Sequence, residues 1–345
     1  MSESDHSLDS QTDTDDDAAT QRLTLVEAVR HGLDTALTHD DDVVVLGQDI
    51  GKKGGVLGAT EGLWETHGDD RVIDTPLAES GIVGTAVGMA AMGMRPVPEI
   101  QFSGYSYPGY DQIVSHMSQF RTRSRGEFTL PMTLRAPYGG GTRAPEHHSD
   151  SKEAFFAHEA GLKVAIPSTP YDTKGLLLSA IQDPDPVVFL EPKLIYRAFR
   201  GDVPEGEYTV PLGEARSRRQ GTDVAVFTYG AMTQPTLTAA ETLAEKDGID
   251  CEVVDLRTIS PLDRETIVDA LKKCGRAVVV HEAPKSVGLG GEIIATLQER
   301  SLPYQEAPVK RVTGFDTPVP LHALEDFYLP NETRVKDAVR EVIDF

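Results

Sequence analysis

Glu79 is the acidic side chain with the clearest chemical potential, because it opens an apolar stretch rich in small residues. It lies in residues 71–84, RVIDTPLAESGIVG, where a polar turn leads into a helix and Leu77, Ile82 and Val83 surround the carboxylate. A carboxylate among apolar neighbours holds its proton more readily than one in water, which keeps a donor available near neutral pH. Read alone, the position also has a plainer account, since acids favour helix N-termini for dipole reasons worth about 0.3–1 kcal/mol. A second cluster, residues 143–149 (RAPEHHS), follows Gly139, Gly140 and Gly141 and sets His147 and His148 in a flexible loop. Imidazoles titrate near neutrality and can move protons, although a histidine pair in a loop is most often solvent-facing or capping. The run Gly288-Leu-Gly290-Gly291 before a helix could bind an anion. It lacks GxGxxG spacing and reads better as a close turn. Neither a GxxxxGK[ST] loop nor a GxSxG elbow occurs.

These residues need elements to position them. Thr24 and Glu27 have capping-box spacing and predict an amphipathic helix over residues 25–37, followed by a buried strand over 43–46. Pro76 then starts a helix rich in Gly and Ala, residues 95–102 are strand-like, and 110–120 are helical. Further strands are expected at 131–135, 163–166 and 187–190, with a helix over 173–182. Past a crossing segment marked by Pro204, Gly206 and Pro211 the rhythm resumes. Strands are expected at 223–228, 251–256, 277–281 and 309–312, and helices at 234–245, 264–273, 292–299 and from 332 onward. Short β-rich runs alternating with helices imply parallel strands covered on both faces, an α/β fold of two doubly wound domains. The expected boundaries are a disordered acidic tail over 1–20, a first domain over 21–203 and a second over 204–345. The tail contains no Lys or Arg and almost nothing apolar, so burial cannot offset its ordering entropy.

Composition narrows the partners. A net charge of −22 over 345 residues speaks against nucleic acid and anionic membranes, which would repel the chain. The spread of acids and the preference for Arg over Lys also fit a surface that stays soluble in concentrated salt, as in a halophile. Cys251 and Cys274 are too few and too far apart for a disulfide framework or a zinc site. The longest nearly apolar run, residues 81–94, falls short of the roughly 20 residues a membrane span needs. No secretion signal is visible, so a cytoplasmic protein is expected.

The segment 88–102 (GMAAMGMRPVPEIQF), with Tyr105 and Asp111-Gln112-Ile113 after it, resembles the β subunits of pyruvate, branched-chain 2-oxo acid and acetoin dehydrogenases. These are transketolase-like, thiamine diphosphate-dependent enzymes. The resemblance runs from about Leu23 to the C-terminus in the family's order, through 136–149, 161–167 (GLKVAIP), 183–192, 255–263 (DLRTISPLD) and 311–314 (RVTG).

Several roles follow from that resemblance. Glu79 matches the carboxylate that bonds ring nitrogen N1′ of the cofactor's aminopyrimidine and favours its 4′-imino tautomer, so that the cofactor acts as its own base. Leu77 and Tyr105 match residues that pack the pyrimidine ring. His148 matches the family's active-site histidine, which helps donate protons and guide the lipoyl arm, whereas His147 stands where Gln is usual. Gln48, in Gly47-Gln-Asp-Ile50, stands where the family commonly has Glu and so removes one charge near the pyrimidine. Some relatives bind a structural K⁺ through a loop matching Met132, Ala180, Ile181, Asp183 and Asp185. The family's diphosphate and Mg²⁺ motif, Gly-Asp-Gly followed by Asn-Asn, is missing. A separate α subunit must bring those ligands, in an α2β2 heterotetramer whose product acyl group passes to a lipoyl acyltransferase core that docks near Phe345. The implied activity is oxidative decarboxylation of pyruvate or a branched-chain 2-oxo acid. Rivals are an acetoin dehydrogenase subunit, a split transketolase-like synthase and a non-catalytic assembly subunit.

Overall fold

The computed structural model describes residues 19–144, 146–320 and 322–345. The chain runs β1 (Thr20–Leu23), α1 (Leu25–His39), β2 (Val43–Gly47), α2 (Leu63–His67), β3 (Val72–Asp74), α3 (Glu79–Ala91) and β4 (Arg95–Glu99). A 3-10 turn over Ser103–Gly109, α4 (Tyr110–Gln112), a π turn over Ile113–Met117 and α5 (Phe120–Arg123) lead to β5 (Thr133–Tyr138). Next come α6 (Glu153–His158), β6 (Lys163–Ala165), α7 (Pro170–Gln182), β7 (Val187–Pro192) and β8 (Gly201–Pro204). The second half contains β9 (Arg216–Arg219), β10 (Val224–Thr228), α8 (Thr233–Asp247), β11 (Cys251–Asp255), β12 (Thr258–Ser260) and α9 (Arg264–Cys274). It closes with β13 (Ala277–Pro284), α10 (Gly290–Ser301), β14 (Lys310–Gly314), α11 (Glu325–Tyr328) and α12 (Glu332–Ile343).

Two sheets organise these elements. The first has seven strands in the order β12-β6-β7-β5-β4-β2-β3, and the second has five in the order β14-β13-β10-β11-β9. Within these two sheets every pair is parallel except β12 against β6 and β9 against β11, both at sheet edges, and β1 and β8 form a separate antiparallel pair. The long apolar strands are buried on both faces, which is why β2, β7 and β10 read as continuous Val, Leu and Phe rather than as an alternation. β12 comes from the second half of the chain yet completes the first sheet.

Local signals set several ends. Thr24 Oγ1 accepts from Glu27 N, and the Glu27 carboxylate accepts from Thr24 N at 2.7 Å, closing the capping box that starts α1. Thr24→Ala is expected to cost about 1 kcal/mol. Calorimetry should read this as a thermal midpoint about 2 °C lower, and an unmoved midpoint would show that Arg200, which also binds Glu27, holds the turn alone. The helix expected from Pro76 begins instead at Glu79, because residues 75–78 stay in the link from β3. Lys174, buried on α7, donates to the carbonyls of Pro204 at 2.6 Å, Glu205 at 3.1 Å and Gly206 at 2.5 Å, anchoring the crossing segment.

The expected disordered tail lies outside the described residues over 1–18. Its last position needs correction: Thr20 is the first residue of β1, paired with Pro204, and Ala19 O accepts from Glu205 N. That short strand forms because β8 offers it a partner. Among the described residues no helix is long and apolar enough to cross a membrane. Burial pushes the Cys251 thiol up to about 12 and the Cys274 thiol up to about 11, so neither is a ready nucleophile.

Candidate active site

Adjacent strands β3, β2, β4 and β5 all point their carboxyl ends to one edge of the first sheet. The segments leaving them carry, in that order, Glu79, Gln48, Tyr105 and His148. The carboxyl edge of a parallel sheet is where α/β proteins collect ligand-binding loops, since each strand delivers a new segment there. Four candidates scattered over 100 residues of sequence thus meet for a topological reason.

Tyr105 Oη lies 2.7 Å from His148 Nε2, and the Phe102 ring packs on the imidazole with centroids 4.6 Å apart. Burial, then the negative charge of Glu79, push the Tyr105 hydroxyl above its usual range, so the tyrosine feels the carboxylate on one side and touches the histidine on the other. Ser80 donates to Pro108 O, tying the start of α3 to the 3-10 turn. Gly109 lets the two approach, since a Cβ there would sit 3.1 Å from Glu79 O. Gly104 does the same for the histidine loop, where a Cβ would overlap His147 O, and Ser103 Oγ donates to Asp150 O at 2.9 Å. His147 itself turns outward with φ 67°, packs against Tyr107 and lies 3.2 Å from Asp150 Oδ2.

Two expectations change in detail. Ile82 and Val83 face the core and Leu77 is 69 % exposed, so this chain alone leaves Glu79 half-buried rather than surrounded by apolar groups. Among the described residues the Glu79 side chain makes no hydrogen bond or ion pair within the chain. Gln48 is placed by its backbone, whose carbonyl accepts from Gln101 Nε2 at 3.4 Å.

The glycines before the histidine loop serve contact rather than flexibility. A Cβ on Gly139 would lie 2.4 Å from the Glu282 carboxylate, one on Gly140 2.9 Å from Leu329, and one on Gly141 2.7 Å from Leu194 Cα. Glu282, on β13, accepts from Gly140 N at 2.8 Å, and Lys193 donates to Gly139 O. Burial drives the Lys193 ammonium towards neutrality and raises Glu282. Close by, Glu153 accepts from Tyr229 Oη at 2.9 Å while its other oxygen has no partner, and burial, reinforced by Glu282, pushes its carboxyl up to about 7. A carboxyl that holds its proton more tightly folded than unfolded favours the fold below the usual range near 4.5, and this contribution fades as pH rises through about 7. Glu153→Gln should therefore stabilise the protein at pH 8 by about 3 kcal/mol and far less at pH 5. Urea midpoints at the two pH values check this, and an equal shift at both would exclude a titrating Glu153. Sequence reading missed Glu282, Lys193 and Phe102. Only Phe102, beside Tyr105, carried a local signal.

The candidate K⁺ ligands lie at the opposite edge, by the amino ends of β5 and β7. Val187 N donates to Met132 O at 3.0 Å and Leu130 N to Pro184 O, which does bring the two segments together. Cationic side chains lie against three of these residues. Arg95 Nη1 donates to Ile181 O at 2.9 Å, Lys163 Nζ pairs with Asp183 at 2.6 Å and Arg121 pairs with Asp185, while Ala180 O accepts from Asp183 N. Among the described residues no cluster of three or more His, Cys, Asp or Glu that could hold a metal ion is found.

A cleft of about 840 Å³ lies elsewhere, between Phe155, Ile259, Leu262 and Leu289, and contains none of the four candidates. The candidate site is instead an open surface with Leu77 and Tyr107 exposed beside it.

Residues 21–198 match the family described as transketolase, pyrimidine binding domain, and residues 213–335 the family described as transketolase, C-terminal domain. Over 324 residues the chain is 51 % identical to the pyruvate dehydrogenase E1 component subunit beta of Bacillus subtilis, spanning 94 % of this chain and 99 % of that protein. It is 49 % identical over 320 residues to the protein of the same name from Acholeplasma laidlawii, spanning 93 % and 98 %. A split-gene transketolase, solved as an inactive beta4 tetramer, shares the fold with a TM-score of 0.76 at 21 % identity, over 94 % of this chain and 99 % of that one. With these matches along nearly its whole length, the chain belongs to the transketolase-like family of 2-oxo acid dehydrogenase E1 beta subunits.

Proposed function

We propose that this chain forms the carboxylate-and-histidine half of a thiamine diphosphate site that decarboxylates pyruvate, completed by an α subunit in an α2β2 heterotetramer. The observation that carries the reading is the convergence of Glu79, Tyr105 and His148 on one sheet edge, with a Glu79 carboxylate that has no hydrogen-bond or ion-pair partner within the described chain. A half-buried acid next to an aromatic ring fits the nitrogen edge and the face of an aminopyrimidine. Thiamine diphosphate, when bound, supplies the nucleophilic carbon and the electron sink that a 2-oxo acid needs to lose CO₂.

The chain's own groups divide the remaining work. Glu79 holds a proton at the ring nitrogen of the pyrimidine, and Leu77 and Tyr105 flank the ring. His148, oriented by Tyr105 Oη and by Glu146 O 3.0 Å from its Nδ1, moves protons at the substrate oxygen. Diphosphate and Mg²⁺ ligands come from the α chain, and the exposed Leu77 surface is what that chain covers. The fragment left by decarboxylation would then be oxidised to the acyl level by the disulfide of a lipoyl-lysine on an acyltransferase core, one sulfur taking the acyl group as a thioester and the other becoming a thiol. The stacked and exposed Phe315 and Phe327, the exposed Phe345 and the acidic charge of the chain support docking of a basic partner on the second half.

The test is CO₂ release from pyruvate and branched-chain 2-oxo acids, and acetaldehyde release from acetoin, by this chain co-expressed with a cognate α chain, alongside acylation of a lipoyl domain. Pyruvate turnover with lipoyl acetylation is the expected result. Turnover of another substrate would reassign the specificity, and an intact but inert tetramer would point to an assembly role.

A further inference from the structure

We infer that Glu325, from the far end of the chain, is a positioning residue for the loop that carries His148. The inference rests on the reading of His148 as part of the active site. The two oxygens of one carboxylate reach opposite ends of that loop: Oε1 accepts from Gly141 N at 2.7 Å and Oε2 from Ser149 Oγ at 3.1 Å. Glu325 is 2 % exposed and Ser149 is 6 % exposed, so the Ser149 bond forms out of water, where an unmatched donor keeps its full desolvation cost, while the Gly141 bond lies nearer the surface. The neighbouring Asp326 pairs with Arg143 within the loop, and Glu282 accepts from Gly140 N at 2.8 Å. No helix or strand runs through the described residues between the two clamped ends. The planar carboxylate therefore fixes the width of the loop's base, and with it the place where His148 meets Tyr105.

The second half of the chain thus does more than pack against the site, because α11, which starts at Glu325, sets the geometry of a loop 176–184 residues away in sequence. Glu325→Gln keeps the size of the side chain but turns one acceptor into an amide that cannot accept. In the α-containing complex it should lower kcat for lipoyl acetylation on the order of tenfold, with pyruvate KM changed less than about twofold. Amide exchange across residues 139–150 should rise. Ser149→Ala, which removes only the Oε2 bond, should shift both readouts in the same direction and serves if the first variant folds poorly.

The decisive comparison is the cycle with His148→Ala. If Glu325 acts through His148, the double variant should be no slower than His148→Ala alone. Additive losses would overturn the positioning role, as would full activity in Glu325→Gln. Full activity in His148→Ala would instead overturn the active-site reading on which the clamp depends, so the two failures are distinguishable.

Discussion

Glu79→Gln is expected to lower pyruvate decarboxylation by the assembled enzyme by about 10²–10⁴-fold, the range that a well-placed acid–base group contributes. At 1.36 kcal/mol per decade this corresponds to about 2.7–5.5 kcal/mol of barrier. Glutamine preserves the shape and one acceptor oxygen but cannot hold or return an acidic proton at the pyrimidine nitrogen. Stability should hardly change, because the Glu79 side chain has no hydrogen bond or ion pair to lose among the described residues, and the start of α3 keeps its tie from Ser80 to Pro108. Single-turnover CO₂ release, with tetramer assembly followed by size-exclusion chromatography, separates the two effects. Activity within about threefold of wild type in an intact tetramer would remove Glu79 from the chemistry.

Arg135→Met should destabilise the protein by about 3–5 kcal/mol, since it strands two buried carboxylates. Arg135, fully buried on β5, lies between Glu99 on β4, at 3.0 Å, and Glu191 on β7, at 2.7 Å. Burial alone would weaken the guanidinium, but Glu191 and Glu99 outweigh it and hold Arg135 charged, while burial raises Glu99 against the pull of Arg135. Tyr196 Oη donates to the second oxygen of Glu191, so the triad is closed on that side. Methionine fills the volume and cannot answer either acid. Adding Glu99→Gln and Glu191→Gln to the same chain should recover much of the loss, because neutral amides need no counter-charge. Denaturant midpoints of the single and triple variants decide the matter, and equal losses in both would mean that packing, not charge, dominates. Glu99 ends β4 beside Gly47 and two residues before Gln101, so a failure here would also disturb the site's floor.

What the sequence revealed depended on how local the physics was. The capping box at Thr24 and the apolar runs at Val43, Val224 and Ala277 gave their elements directly, because a cap or a doubly buried strand is specified within a few residues. The short edge strands β1, β8, β9 and β12 were invisible. Each has three or four residues and exists because a distant strand offers hydrogen bonds. Glu79, Tyr105 and His148 were singled out through residue type and family resemblance, and the fold places them on segments that leave the ends of neighbouring strands. The partners of the histidine loop escaped notice because Glu282 and Glu325 lie 142 and 184 residues from the amides they bind. Gly139–Gly141 show the same limit: the letters fit a supple hinge, whereas the neighbours that forbid a Cβ come from elsewhere in the chain.

The strand β12 has a consequence for inheritance. A genetic crossover in the segment between the two halves would leave the first sheet with a foreign seventh strand, and Thr258 and Ser260 would face the wrong Ala165 and Val164. An unmatched strand leaves an open β6 edge, the kind of surface on which sheets of different molecules join. Exchange of whole halves between related genes is therefore restricted to parents that agree on these few residues.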